Sequence, residues 1–275
     1  MTGQAQESTW EIAHFGLCVH DPKASDAFYR NVVGLTPDPN GAPYSFANGF
    51  QSLTLYAPDP GFARQHDILH NPRMTKVATL AVNDLGVAQA RLDATGVAYS
   101  EIDGLAPGLG RELLSYDPSM NLIGFVQRHP ETEAPDEAPW LLHHVNLQAH
   151  EVRKTVEFFV GIADMTEGKW VAPPERGDFS LDPHELAPMV LGGENRGLHI
   201  IRPDAGFAQR NGFAHNPSIG GHPAFRVSDI HGVMARLDEA GIVYSNAGTY
   251  AMSGYHQVYV LDPSFNLIEI NQRVG

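Results

Sequence analysis

The sequence predicts a mixed α+β protein of two domains, each built from two β-α-β-β-β modules. Three observations support this fold class. The chain has 275 residues, more than one domain usually holds. Its second half repeats its first, and each half alternates short strands with two helices. With 43% apolar and 18% charged residues, the composition is that of a globular protein with a sizeable core.

The internal repeat aligns without gaps over long stretches. Residues 59–72 (DPGFARQHDILHNP) match residues 204–217 (DAGFAQRNGFAHNP) at seven of fourteen positions, a shift of 145 residues. The same shift aligns ARLDATGVAYS with ARLDEAGIVYS, and DPSMNLIGF with DPSFNLIEI. Near the start of each copy the shift is 130 residues, so the second copy contains 15 extra residues, near 172–195.

The repeat divides the chain into four segments. Residues 1–9 are predicted to form a short flexible tail, and residues 10–128 the first domain, which is expected to be metal-free. Residues 129–139 (HPETEAPDEAP) are acidic and rich in proline, which is typical of a linker. Residues 140–275 form the second domain.

The elements of the first copy can be assigned from local patterns. HFGLCVH and KVATLAV are predicted strands, and helices are predicted to follow them over 22–32 and 85–95. Asp84 is a candidate N-cap for the second helix, and Gly96 is positioned to end it. The segments SFANG, QSLTLYA, RELLSYD and NLIGFVQ complete the modules as strands.

Composition excludes several classes of partner. Lys and Arg total 18 against 32 for Asp and Glu, and the formal net charge of -14 should repel nucleic acid and anionic lipid. The single cysteine, Cys18, cannot form an internal disulfide. The N-terminus lacks the regions of a signal peptide, and no apolar run approaches the roughly 20 residues that span a bilayer. We therefore expect a cytoplasmic protein without membrane or nucleic-acid partners.

Comparison of the two copies singles out three candidate metal ligands. These candidates are His144, His222 and Glu269. The first copy has His14, Val77 and Gly124 at the equivalent places, so only the second copy keeps all three. Two imidazoles and a carboxylate can occupy one face of an octahedron and leave positions open for substrate and O₂, as in non-haem Fe(II) sites.

Each candidate also has a purely structural interpretation. A single histidine on a strand is more often a hydrogen-bonded core residue than a ligand, and spacings of 78 and 47 residues match no short metal motif. His143 precedes His144, and strict alternation predicts that at most one of the pair faces inward. Alternation also predicts that Glu269 faces the interior, opposite Ile268 and Ile270.

The segments LHHVNL, GGHPAFRV and DPSFNLIEI resemble the ligand-bearing strands of the vicinal oxygen chelate superfamily, specifically of the type I extradiol ring-cleaving dioxygenases. The resemblance covers nearly the whole chain. It implies four β-α-β-β-β modules, a structural, metal-free first domain, and an Fe(II) ion held by His144, His222 and Glu269, with Mn(II) as the alternative metal. It also implies a small aromatic diol and O₂ as substrates, and a homo-oligomer.

The resemblance assigns roles to further residues. Tyr259, ten residues before the glutamate ligand, takes the place of the family's second-sphere tyrosine. His199, in GLHIIRPD, takes the place of the acid–base histidine, where the first copy has Thr54. Many family members have another active-site histidine nine residues before the tyrosine, but this chain has Tyr250 there, which is a candidate substrate contact. His256 is a candidate replacement that binds substrate, although exposure on a strand edge explains it equally well.

The predicted function is Fe(II)-dependent extradiol cleavage of a catechol-type ring by O₂. In this hypothesis His199 accepts a proton and later returns one, and Tyr259 hydrogen-bonds a substrate oxygen. Trp170 and the insertion at 172–195 are candidates for contacts with ring substituents. Two alternatives stay open. One is a metal-dependent isomerase or lyase on the same fold, and the other is a non-catalytic protein that binds an aromatic ligand or a metal.

Overall fold

The structure is a computed structural model that describes residues 10–129, 138–170, 182–191, 196–249 and 254–274. The predicted tail, most of the predicted linker and most of the predicted insertion lie outside these ranges. The described residues form two β-sheets, the first from residues 10–127 and the second from residues 140–273. None of the helices in the described ranges is long and apolar enough to cross a bilayer.

The first sheet has seven strands. They are β1 (Trp10–Cys18), β2 (Ser45–Ala47), β3 (Ser52–Tyr56), β4 (Lys76–Val82), β5 (Tyr99–Asp103), β6 (Arg111–Tyr116) and β7 (Leu122–Gln127). Their spatial order is β2-β3-β1-β4-β7-β6-β5. The two central strands, β1 and β4, are antiparallel, and each pairs on its other side with a parallel strand of its own module. The predicted β-α-β-β-β pattern requires one more strand in the first module. At its place the structure has only an isolated β-bridge between Pro37 and Phe46. The prolines around it lack the N–H groups that a ladder needs.

The helices of the first half follow the predictions closely. They are α1 (Pro22–Phe28), which continues as a π-helical turn (Tyr29–Val33), α2 (Phe62–Gln65), a 3-10 turn (Pro72–Met74) and α3 (Leu85–Thr95). The Asp84 carboxylate accepts a hydrogen bond from the Val87 N–H, and Gly96 has a φ of 68°. Both predicted ends of α3 are therefore confirmed.

The second sheet repeats this arrangement with eight strands. They are β8 (Trp140–Gln148), β9 (Thr166–Glu167), β10 (Met189–Leu191), β11 (Gly197–Ile201), β12 (His222–Val227), β13 (Tyr244–Gly248), β14 (Tyr255–Leu261) and β15 (Leu267–Arg273). Their order is β13-β14-β15-β12-β8-β11-β10-β9. The helices are α4 (Val152–Ala163), α5 (Pro183–Leu186), α6 (Phe207–Asn211) and α7 (Ile230–Glu239). The predicted α+β fold class is confirmed.

One continuous apolar core joins the two halves. The rings of Phe125 and Phe158 lie 6.3 Å apart across it, and those of Tyr29 and Phe225 lie 6.0 Å apart. Helices α3 and α4 also contact each other there. Because the helices cover one face of each sheet, the opposite face is left for the polar side chains that form the site.

Polar contacts also connect the halves. The hydroxyl of Tyr29 donates to Oδ2 of Asp262 at 3.2 Å, and both residues are buried. The ammonium group of Lys76 donates to the carbonyl oxygens of Gly220 and Gly221 at 2.6 and 2.8 Å. These two carbonyls come directly before β12, so a cation from the first half holds the start of a strand that bears a candidate ligand.

Candidate metal centre

Strand pairing brings the three predicted ligands together. Ala224 on β12 pairs with His144 on β8 and with Glu269 on β15, so these residues form one row on the same face of the sheet. His222 lies two residues before Ala224 and shares this face by alternation. The small side chain of Ala224 leaves space between the imidazole and the carboxylate.

The donor atoms of the three side chains converge. Nε2 of His144 lies 3.3 Å from Oε2 of Glu269, and Nε2 of His222 lies 3.9 Å from the same oxygen. Ligands bonded to one ion at about 2.1 Å and at right angles to each other are about 3 Å apart, so the separation of His144 and Glu269 is close to this value and that of His222 and Glu269 is longer. All three residues are buried, at 2%, 1% and 0% exposure for His144, His222 and Glu269.

The carboxylate of Glu269 gives a test of whether an ion fits. Its Oε1 accepts hydrogen bonds from Nε2 of Gln257 at 2.9 Å and from Nδ2 of Asn271 at 3.0 Å. Its Oε2 accepts no hydrogen bond from the residues that the structure describes. A buried carboxylate oxygen in this state is costly unless a cation binds it. The two amides orient the carboxylate in the way that outer partners orient a metal ligand.

The amide of Asn146 lies between the two imidazoles. Its Nδ2 is within hydrogen-bond distance of Nε2 of His222 and is 3.5 Å from Nε2 of His144. In the described ranges, no three His, Cys, Asp or Glu side chains are already spaced as ligands around an ion. An ion bonded to both Nε2 atoms therefore requires the Asn146 amide to turn aside.

The protonation states suit metal binding. Burial opposes ionisation of Glu269, but attraction to His144 and His222 outweighs it and holds the pKa of Glu269 well below its usual range. Burial lowers the pKa of His222, against the opposing effect of Glu269. A charged carboxylate and a neutral imidazole are the forms in which these side chains ligate metals.

His143 corrects the expectation that at most one of two adjacent histidines faces inward. The register of β8 against β12 shifts between Ala224 and Phe225, which makes His143 the extra residue of a β-bulge. Nδ1 of His143 lies 2.9 Å from Nδ1 of His144, and the His143 ring packs 4.8 Å from that of Tyr255. His143 is 1% exposed. The expectation is therefore wrong, because strict alternation does not hold at a bulge.

His199 lies on the same face as the ligands, because β11 pairs it with Asn146. Its ring is 6.3 Å from that of His144, and the ring of Trp170 packs edge-on at 4.6 Å. Nε2 of His199 donates to the carbonyl of Ala187 at 3.0 Å, so Nδ1 is the nitrogen that can accept a proton. Removal from water and the neighbouring His144 lower the pKa of His199 to about 3.

Tyr259 stands on the opposite side of the ligands. It pairs with Glu269 across β14 and β15, and its ring lies 5.7 Å from that of His222 at 84°. It is 4% exposed. His199 and Tyr259 thus flank the three candidate ligands on one face of the sheet.

These residues line one cavity, which opens to solvent. The remaining apolar wall is formed by Trp170, Leu186, Ala187, Ile201, Phe207 and Pro217. The polar part of the lining consists of the three candidate ligands and His199, together with Asn146, Arg202, Asp204, Ser218, Gln257 and Tyr259.

His256 does not reach this cavity, in contrast to its candidate role. It alternates with Gln257 on β14 and faces the other side of the sheet. There its Nε2 lies 2.7 Å from Oδ1 of Asn246, and its ring is 5.5 Å from that of His231 on α7. Tyr250, the other candidate substrate contact, lies outside the described residues.

Three polar residues that contact the candidate ligands were not found from the sequence. They are Asn146, Gln257 and Asn271. Each lies two residues from a residue that was found, namely His144, Tyr259 or Glu269. Alternation along the ligand strands was therefore a sufficient signal for all three.

The equivalent space in the first half is filled. The carboxylate of Glu112, at the place of Gln257, accepts a hydrogen bond from Oγ1 of Thr79 at 2.7 Å. A Cβ atom added to Gly124 would collide with Oε1 of Glu112. The Glu112 carboxylate thus takes the space that a ligand at position 124 would need.

Comparison with solved structures finds proteins of the same fold. The 2,3-dioxygenase LapB from Pseudomonas sp. KL28 has a TM-score of 0.67 and 16% identity, covering 98% of this chain and 94% of its own. A variant of homoprotocatechuate 2,3-dioxygenase from Brevibacterium fuscum has a TM-score of 0.66 and 17% identity, covering 100% and 75%. A Mn(II)-bound glyoxalase from Novosphingobium aromaticivorans has a TM-score of 0.64 and 19% identity, covering 98% and 83%. No family model and no curated protein matches the chain.

The chain therefore has the vicinal oxygen chelate fold, which it shares with these extradiol dioxygenases and with the glyoxalase, as the sequence resemblance implied. One fold hosts several chemistries, so the reaction has to be argued from the site.

Proposed function

We propose that this protein is an Fe(II)-dependent extradiol dioxygenase that cleaves the ring of a catechol-type diol with O₂. The observation that carries the proposal concerns Oε2 of Glu269. This oxygen accepts no hydrogen bond in the described part of the chain, and it lies beside two imidazole nitrogens. His199 and Tyr259 line the same cavity. The dioxygenases of the same fold support this choice of reaction.

Three side chains would hold the metal. His144 and His222 would bind it through Nε2, and Glu269 through Oε2, which leaves the cavity side open for substrate. When bound, Fe(II) would hold the diol and O₂ side by side and lower the pKa of the diol hydroxyls. The same ligand set also suits Mn(II), and the Mn(II)-bound glyoxalase of the same fold supports it as an alternative metal.

His199 would move the proton. Its ring is neutral at pH 7 because its pKa is lowered to about 3, and its Nε2–H is held by Ala187, so Nδ1 accepts a proton from a diol hydroxyl and returns it later. A strongly lowered pKa favours return of the proton over its retention.

Tyr259 and the apolar wall would position the diol. The phenol beside His222 can donate a hydrogen bond to a substrate oxygen. The wall that includes Trp170 and Phe207 would cover the ring and exclude water from it.

The decisive experiment is anaerobic reconstitution with Fe(II), followed by exposure to O₂ with a panel of catechols and hydroquinones. We expect O₂ uptake and the coloured product of ring opening with at least one diol. If every diol leaves O₂ uptake at the level of metal-free protein, the proposal is wrong. His199→Ala should keep the metal and lose most turnover, whereas Glu269→Ala should lose the metal.

A metal-dependent isomerase or lyase is the second candidate, because the fold is also that of the Mn(II)-bound glyoxalase. Such an enzyme would polarise vicinal oxygens and consume no O₂. Turnover of a substrate under strict anaerobiosis would favour it. A protein that only binds an aromatic ligand or a metal would show no turnover, and its binding would be the same in His199→Ala.

A further inference from the structure

The β-bulge of β8 places a second histidine directly behind a candidate ligand. A similar register shift occurs in β1, between Ile12 and His14, where the extra residue is Ala13. The bulge is therefore common to both halves. The second half, which has the three candidate ligands, has His143 at this position, and the first half has a methyl group.

We propose that His143 is a positioning residue that holds His144 with Nε2 directed at the metal. The inference rests on the proposed metal centre. The two Nδ1 atoms are 2.9 Å apart, so one of them carries the hydrogen of this contact. If Nε2 of His144 binds an ion, its hydrogen must be on Nδ1, which then donates to Nδ1 of His143. His143 must be neutral, with its own hydrogen on Nε2.

The surroundings of His143 hold its acceptor atom, Nδ1, in position beside His144. The side chain is 1% exposed and its ring packs 4.8 Å from Tyr255, so it cannot turn into solvent. The other candidate ligand differs, because Nδ1 of His222 has no hydrogen bond within the described residues. His144 is thus oriented by a hydrogen bond, and His222 by packing against Tyr259.

A neutral acceptor also suits the charge of the centre. A divalent ion and Glu269 together carry a net charge of plus one. An aspartate or glutamate behind His144 would add a second buried anion and would need its own desolvation. An imidazole accepts the same hydrogen bond without adding charge.

The test compares metal affinity in variants at position 143. His143→Phe keeps the ring but removes the acceptor, and His143→Asn restores an acceptor oxygen. We expect His143→Phe to weaken Mn(II) and Fe(II) binding by roughly 10- to 100-fold, the usual effect of losing an outer partner of a ligand. His143→Asn should recover most of this loss. His256→Phe, on the opposite face of the sheet, is the matched control and should leave the affinity unchanged.

Two measurements separate positioning from general support of the fold. Dissociation constants come from competition with a chromophoric chelator under anaerobic conditions, and melting temperatures are recorded with and without metal. Positioning predicts that His143→Phe reduces the rise in melting temperature that metal produces. In diamagnetic Zn(II)-loaded protein, long-range ¹H–¹⁵N spectra should show a proton on Nδ1 of His144.

Each outcome has a defined meaning. Equal metal affinity in wild type and His143→Phe overturns the inference. It is also overturned if His143→Phe and His143→Asn lose the same affinity and this loss follows the loss of stability of the metal-free protein. Wild type that binds metal but consumes no O₂ with any diol refutes the proposed reaction, while the affinities still decide the role of His143. Wild type that binds no metal refutes both.

Discussion

Nε2 of His144 lies 3.3 Å from Oε2 of Glu269, and the residue paired with both of them is Ala224. The two groups come from strands that do not pair with each other, and they meet only because the strand between them presents a methyl group. The proposed metal centre therefore depends on a residue that offers no ligand atom.

Enlarging that residue should close the centre. Ala224→Val adds two carbon atoms to a fully buried position, which costs about 1–3 kcal/mol of stability when a core is overpacked. We expect metal affinity to fall by more than the stability change alone accounts for, measured by Mn(II) titration of folded protein. Thr79→Val, at the equivalent place in the first domain, should leave Mn(II) affinity unchanged. Tight Mn(II) binding by Ala224→Val would contradict this explanation.

Removing the charge of Glu269 should weaken both metal binding and stability. Glu269→Gln keeps the size of the side chain but removes the buried negative charge. We expect loss of metal binding, together with a lower free energy of unfolding for the metal-free protein near pH 7, because a carboxylate whose pKa is held below its usual range stabilises the folded state there. Urea unfolding in EDTA measures this stability, and Mn(II) titration measures the affinity. Binding of Mn(II) by Glu269→Gln as tight as that of wild type would contradict the ligand role of Glu269.

The contact of Lys76 with the loop before β12 should matter for both stability and affinity. Lys76→Met keeps most of the aliphatic chain and removes the ammonium group that binds the carbonyls of Gly220 and Gly221. We expect a loss of about 2 kcal/mol in the free energy of unfolding and weaker metal binding, because His222 follows this loop. Lys154→Met, which removes an exposed ion pair with Glu151, is the control and should change neither.

His14 should make the protein less stable in acid. Burial lowers the pKa of His14 to about 3, whereas an unfolded chain takes up this proton near pH 6.5. The unfolded state therefore binds more protons between these values, and stability falls as the pH drops below about 6.5.

Replacing His14 should remove one part of this pH dependence. In EDTA, the difference in free energy of unfolding between pH 7.5 and pH 5 should be about 2 kcal/mol smaller for His14→Leu than for wild type. The comparison is a difference within each protein, so a general loss of stability in the variant does not affect it. An identical difference in both proteins would show that His14 is already protonated in the folded state at pH 5.

The repeat and the strand patterns made the fold predictable, because hydrophobic alternation and caps such as Asp84 are local signals. The comparison of the copies singled out His144, His222 and Glu269, since a ligand that is absent from one copy is not needed by the shared fold, and the family resemblance implied that the three act together. The positions of Asn146 and Gln257 could have been read from the same alternation.

One feature of the site could not be read from the sequence. The inward orientation of His143 depends on a β-bulge, and nothing in LHHVNL marks where the extra residue falls. The orientation of His256 could have been read, because His256 lies three residues before Tyr259 and alternation along β14 places the two side chains on opposite faces of the sheet.

Through the contacts of Tyr29 with Asp262 and of Lys76 with Gly220, the two halves pack against each other like the subunits of a dimer. Because one chain joins them, they cannot dissociate or exchange. In a true dimer of identical chains, every substitution occurs twice. In this single chain, Glu112 fills the equivalent space of the first half while the second half keeps Glu269 among the candidate ligands. Dividing the chain between the halves would expose the side of the shared apolar core on the half that carries the candidate ligands.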